Sequence, residues 1–152
     1  MEIRLGMSPI SWSNDDLPQL GGDTPLEVCL QETRQAGFVG TETGGKFPSQ
    51  PAALHDVLQA HDLALVSGWY SGTMINNDIA SEIDRITPQL KLFKDVGASV
   101  IVYGETYETI QNQQSRALSS RPKLADFDVK NYGRNLTLLA EHCAEQGVPL
   151  TF

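Results

Sequence analysis

The chain has 152 residues, 40% of them hydrophobic and 20% charged, and a formal net charge of -8. This is ordinary globular material, long enough to bury a core, and its acidity argues against nucleic acid, whose phosphates call for a basic patch. No apolar stretch approaches the roughly 18 residues of a membrane span and no charged-then-apolar leader is visible, so no membrane partner is expected and a cytoplasmic location is the default.

Four short apolar runs each lead into an amphipathic stretch, and a fifth run closes the chain. Ile3-Arg4-Leu5-Gly6-Met7-Ser8 reads as the first strand. Thr24-Pro25-Leu26-Glu27 then combines a capping-box spacing with proline at the first helical position, and Leu26, Cys29, Leu30 and Thr33 follow at helical steps. The second strand is expected at 38–42 and the third at 63–67, with a second helix between them flanked by His55 and His61. The third helix carries Ile79, Ile83, Ile86, Leu90, Phe93 and Val96 on one face, with Pro88 expected to kink or divide it. A fourth strand at 99–103 and a fourth helix bearing Tyr132, Leu136, Leu139 and Cys143 precede the last run, 148–152. Gly37, Gly97 and Gly147 stand where left-handed C-terminal caps would precede strands. The two cysteines, Cys29 and Cys143, fall on apolar helix faces and read as free buried thiols.

Four and a half strand–helix units fit either an open doubly wound sheet or part of a (β/α)8 barrel, which takes roughly 250 residues when complete. The expected fold class is α/β; as part of a barrel the chain would be of the TIM-barrel type, a half barrel truncated in its fifth strand. In either architecture chemistry sits beyond the carboxyl ends of the strands. Those turns are unusual: Ser8-Pro9-Ile10-Ser11-Trp12-Ser13-Asn14 after the first strand, Glu42-Thr43-Gly44-Gly45-Lys46-Phe47-Pro48 after the second, and Gly68-Trp69-Tyr70-Ser71-Gly72 after the third. After the fourth, Tyr103-Gly104-Glu105 opens a loop of about twenty residues to Asp126, a length commonly functional or mobile.

These turns also carry a family resemblance. Trp12-Ser13-Asn14-Asp15-Asp16-Leu17-Pro18, Leu20-Gly21-Gly22-Asp23-Thr24-Pro25-Leu26-Glu27, Gly44-Gly45-Lys46-Phe47-Pro48, Ser67-Gly68-Trp69-Tyr70-Ser71-Gly72 and Val102-Tyr103-Gly104-Glu105 closely resemble the myo-inosose-2 dehydratases, xylose-isomerase-like barrels of inositol catabolism. The match runs from about Ile3 to the last residue and covers the N-terminal half of that family. It implies a hydro-lyase that removes water from a cyclic polyol ketone, 2-keto-myo-inositol, with a divalent metal, Mn or Co. The family's metal ligands come from strands five to eight, so all of them are expected beyond Phe152; none is assigned here, and the 152 residues alone are expected to be inactive.

Proton removal beside a ketone followed by loss of the neighbouring hydroxyl calls for acid/base groups and fixed polar contacts. Glu42, at a strand end, is a candidate acid/base, or else a carboxylate satisfied by Lys46 or backbone amides. Lys46 is a candidate donor to a ring oxygen, or else a surface lysine. Glu105 is the second carboxylate, against a loop salt bridge with Arg116 or Arg121. Trp12, Trp69, Tyr70 and Tyr103 are candidates to line a pocket, ring faces packing on C–H surfaces, with core packing as the alternative. Asn14 and Gln111 are candidate hydroxyl contacts, although Asn also suits a turn. His55, His61 and His142 suit surface roles, since none has a ligand partner at helical spacing.

Three other readings compete. A flavodoxin-like phosphate-binding domain fits the element count but lacks a Gly-rich cradle after the first strand. A sugar isomerase or epimerase fits the same barrel. A non-catalytic half barrel, with unpaired edges at its first and fifth strands, would form a homo-oligomer or dock onto a missing C-terminal half.

Overall fold

A computed structural model describes residues 3–123 and 128–152. In chain order the elements are β1 (Gly6–Met7), a 3-10 turn (Pro9–Ser11), α1 (Leu26–Gln35), β2 (Gly40–Thr43), α2 (Pro51–Ala60), β3 (Ala64–Gly72), α3 (Ile79–Val96), β4 (Ile101–Glu105), a second 3-10 turn (Leu118–Ser120), α4 (Val129–Glu145) and β5 (Leu150–Thr151). The five strands form one parallel sheet in the order β1-β2-β3-β4-β5. Among the described residues the strand order never reverses and has no topological switch point; this excludes the doubly wound, flavodoxin-like reading and leaves barrel-type winding.

A single core explains why the winding goes one way. Leu30 of α1, Leu54 and Leu58 of α2, Ile86, Leu90 and Phe93 of α3, and Leu139 and Cys143 of α4 pack in one cluster with Leu65, Tyr70, Ile101 and Tyr103 of the strands. Leu54, Ile86, Ile101 and Leu139 are fully buried, each contributing about 1.5–3 kcal/mol relative to an exposed side chain. All four helices therefore cover the same face of the sheet. Cys29 and Cys143 are free and buried.

The helix ends follow the sequence in part. Asp78 and Asp128 cap α3 and α4 by accepting from the backbone N–H of Ser81 and Asn131 at 2.8 and 2.9 Å. Gly37, Gly97 and Gly147 all have the expected positive φ. At α1 the expected capping box is absent: the helix starts at Leu26, Pro25 takes the N-cap position, and no side chain bonds there. Pro88 does not divide α3, which runs from Ile79 to Val96 as one helix. His55 lies inside α2 beside Asp56, and His61 is its C-cap.

The largest departure is β3. The sequence points to a strand at 63–67 followed by a loop, whereas the strand continues to Gly72. Thr41 of β2 pairs with Leu65 and Glu42 with Ser67, leaving Val66 as an extra residue on β3. Such a bulge reverses the alternation of faces: Leu65 is core before it, and Tyr70 is core after it. Gly72, read in the sequence as a turn residue, is instead a site of close approach, since a Cβ there would lie 2.1 Å from ring carbons of Tyr103.

β1 pairs only with β2 and β5 only with β4 among the described residues. Just two residues of the expected first strand pair with the sheet, and Ile3 and Leu5 before them are exposed. The loop after β4 reaches the second 3-10 turn and Lys123; its expected end, Asp126, lies outside the described residues.

Candidate active site

At the carboxyl end of the sheet, residues from the connections after β1, β2 and β4, together with Trp69 and Ser71 of β3, surround a cleft of about 730 Å³. Six of the sequence candidates line it: Asn14, Glu42, Lys46, Trp69, Glu105 and Gln111. Asp15 and Asp16 add two more carboxylates, so four acidic side chains face one ammonium.

Glu42 stands at the end of β2, opposite Ser67 across the bulge. Ser67 Oγ donates to Glu42 Oε1 at 2.6 Å. Glu42 Oε2 has no hydrogen-bond partner among the described residues, so one oxygen is fixed and the other is left to the cleft. The alternative of a Glu42–Lys46 pair does not occur: Lys46 Nζ donates to the Gly22 carbonyl at 2.6 Å, tying the loop after β2 to the loop before α1. A parallel tie joins Asp15 Oδ2 to the Gly45 N–H at 2.7 Å.

Glu105 differs, because both of its oxygens are engaged. Oε2 accepts from the Tyr103 hydroxyl at 3.0 Å and the Ile75 N–H at 3.3 Å, and Oε1 accepts from the Tyr107 N–H at 3.1 Å. Arg116 bonds Gln113 and the Ser120 carbonyl instead, so the alternative of a salt bridge to Arg116 is not formed. Asn14 Oδ1 accepts from the N–H groups of Asp16 and Leu17, a turn that shapes the cleft wall.

Three candidates are placed elsewhere. The Trp12 indole N–H donates to the Glu32 carboxylate of α1 and the residue does not line the cleft, because an exposed acid on the neighbouring helix captures it. Tyr70 and Tyr103 are core residues, 7% and 3% exposed, with ring centroids 5.9 Å apart. The bulge in β3 is the reason for Tyr70, since it turns Trp69 and Ser71 to the cleft and Tyr70 to the helices. Burial, then the neighbouring Glu82 carboxylate, push the Tyr70 hydroxyl well above its ordinary range. Burial, then Glu105, do the same for Tyr103.

Sequence reasoning missed Glu82, which is completely buried. Its Oε1 accepts from the Tyr70 hydroxyl at 3.0 Å and the Thr73 N–H at 3.2 Å, and its Oε2 from Arg85 at 2.8 Å and Asn77 at 3.4 Å. This carboxylate lies behind the cleft and fastens the loop between β3 and α3 to the core.

Among the described residues no group of three His, Cys, Asp or Glu side chains could hold a metal ion. The donors present do not fit a metal: Glu105 is spent on three protein donors and Glu42 is half spent on Ser67.

No family model matches the chain. It is 48% identical over 152 residues to the rhizopine catabolism protein MocC of Rhizobium meliloti, spanning all of this chain and 47% of that protein. It is 31% identical over 150 residues to the inosose dehydratase of Mesomycoplasma hyopneumoniae (strain 7448), spanning 99% of this chain and 50% of that one. The chain resembles the inosose dehydratases. It spans about half the length of the curated relatives it matches, at 47% and 50% for these two. Among solved structures it superposes on a xylose isomerase-like TIM barrel protein from Mycobacterium smegmatis with a TM-score of 0.65 at 15% identity, covering 97% of this chain and 53% of that one. D-psicose 3-epimerase gives a TM-score of 0.64 at 10% identity, covering 97% and 51%. At these identities the likeness concerns the fold, which is that of half of a xylose-isomerase-like barrel, as in the inosose dehydratase resemblance.

Proposed function

We propose that the chain is the N-terminal half of a barrel enzyme that dehydrates 2-keto-myo-inositol. The observation that carries this reading is Glu42: in a chain resembling inosose dehydratases, a strand-end carboxylate is held by one oxygen at 2.6 Å while the other faces the cleft. In the reaction a C–H bond beside the ketone breaks and its electron pair forms the enolate double bond. The carbonyl then re-forms as the enolate electron pair makes a double bond to the neighbouring carbon, whose C–O bond breaks, and the hydroxyl takes up a proton and leaves as water. Glu42 serves as a proton carrier in this sequence. Glu105, whose oxygens are both engaged, orients the ligand through its fixed position. Lys46, with one proton on Gly22, has others for a ring oxygen.

An acidic cleft also repels a phosphate ester and suits an uncharged ring. The divalent metal that the resemblance implies, Mn or Co, would be held by residues outside this chain, and the isolated chain is inactive on this reading. Replacement of Glu42 by Gln in the complete protein tests it. Turnover should fall by about 10²–10⁴-fold while the denaturation midpoint stays near that of the parent. Unchanged turnover with a clearly lowered denaturation midpoint would make Glu42 a structural residue.

The higher identity to the Rhizobium meliloti protein, 48%, favours a second reading, in which the substrate is a rhizopine or a product of its breakdown. Turnover of a rhizopine with none of 2-keto-myo-inositol would select it. The isomerase or epimerase alternative has only fold-level support.

A further inference from the structure

Trp69 lines the cleft with its indole packed against Gly104 of the adjacent strand. A Cβ on Gly104 would fall 1.9 Å from Cζ2 and 2.0 Å from Cη2 of that ring, so the indole fills the space any other residue would need. The rest of Trp69 is pinned. Its Nε1 donates to Ser71 Oγ at 3.0 Å, and its carbonyl accepts from Gln89 Nε2 at 3.0 Å. Even so the residue is 56% exposed. A partly open aromatic ring held by its neighbours at the wall of a cleft offers a ligand an apolar surface beside polar groups.

We propose that Gly104 is a positioning residue: by having no side chain it leaves room for the Trp69 indole, whose open surface serves as a platform for the C–H face of a cyclic polyol. The ligand class rests on the reading given under Proposed function. Gly104→Ala would push aside an exposed indole and not the backbone, so it separates ligand recognition from folding.

Trp12→Phe leaves Trp69 as the sole tryptophan of the two in the chain. In that background, Trp69 emission is followed during titration with 2-keto-myo-inositol, with myo-inositol and with the open-chain polyol sorbitol. Saturable changes are expected with the two rings and none with sorbitol. Adding Gly104→Ala should weaken ring binding by about tenfold without moving the circular dichroism spectrum. Unchanged affinity in Gly104→Ala, or no saturable response to either ring, would overturn the proposal. If Gly104→Ala fails to fold, calorimetry on Trp69→Leu decides: lost ring binding supports the platform and retained binding overturns it. In the complete protein the two readings separate. Ring binding sensitive to Gly104 without dehydration sinks the dehydratase reading alone, whereas dehydration with KM unchanged by Gly104→Ala sinks the platform alone.

Discussion

Ser67 Oγ donates to Glu42 Oε1 at 2.6 Å, and the two residues stand opposite each other because β3 takes in one extra residue between Leu65 and Ser67. Without the bulge, the partner of Glu42 would be Val66, which has nothing to donate. Ser67 is only 6% exposed, so its hydroxyl has little water to turn to. Ser67→Ala is expected to cost about 1 kcal/mol of stability and, in the complete protein, to lower turnover about tenfold as Glu42 loses its fixed orientation. Urea denaturation and steady-state kinetics on the same preparation check both.

Glu82 is fully buried and accepts four hydrogen bonds, one of them from the part-exposed Arg85. Glu82→Ala strips the acceptors from the Tyr70 hydroxyl and the Thr73 N–H as well as from Arg85. A loss of about 3 kcal/mol is expected, most of it the penalty for unpaired buried donors. Glu82→Gln, which keeps an acceptor oxygen, should lose less. Denaturation curves for the two variants check the order; equal stability of Glu82→Ala and the parent would show that the network is replaceable by water.

Alkaline pH should unfold the chain through groups that are held neutral. Burial pushes the Cys143 thiol up to about 11 from its ordinary 9.0, and burial also raises Tyr70 and Tyr103 from 10.0. A raised folded value means that below the unfolded value both states keep their protons and stability is fully present. As pH climbs past 9.0 the unfolded thiol ionises first, and stability falls until about 11 for Cys143. The phenols extend the fall from 10.0 upward. Urea midpoints measured from about pH 8 to about pH 11 should be flat at first and then decline. Cys143→Ala should flatten the first part of that decline.

The order of elements was legible because apolar runs and helical faces alternate without ambiguity, and the left-handed glycines at 37, 97 and 147 mark three helix ends. Glu42, Lys46 and Glu105 could be placed at one cleft because strand ends converge in this architecture. The faces of β3 could not be read. Gly68 and Gly72 look like turn residues, and a bulge leaves no mark in a periodic pattern, so Tyr70 looked like a pocket residue when it is core. Glu82 was hidden for a similar reason. An acid in the first turn of a helix looks like a partner for the helix dipole, while its buried donors come from Tyr70, Thr73 and Asn77, outside that helix. Trp12 was lost to Glu32, twenty residues away and at no recognisable spacing.

The proposed reading makes these residues the substrate-holding half of a dehydratase barrel. It is tested most directly by water loss from 2-keto-myo-inositol, using the chain at verified mass, alone and together with the remaining half of the barrel, with and without added Mn²⁺. No turnover is expected from the chain alone, and turnover is expected on addition of the other half. Turnover from the chain by itself, or none from the two halves together, would contradict it.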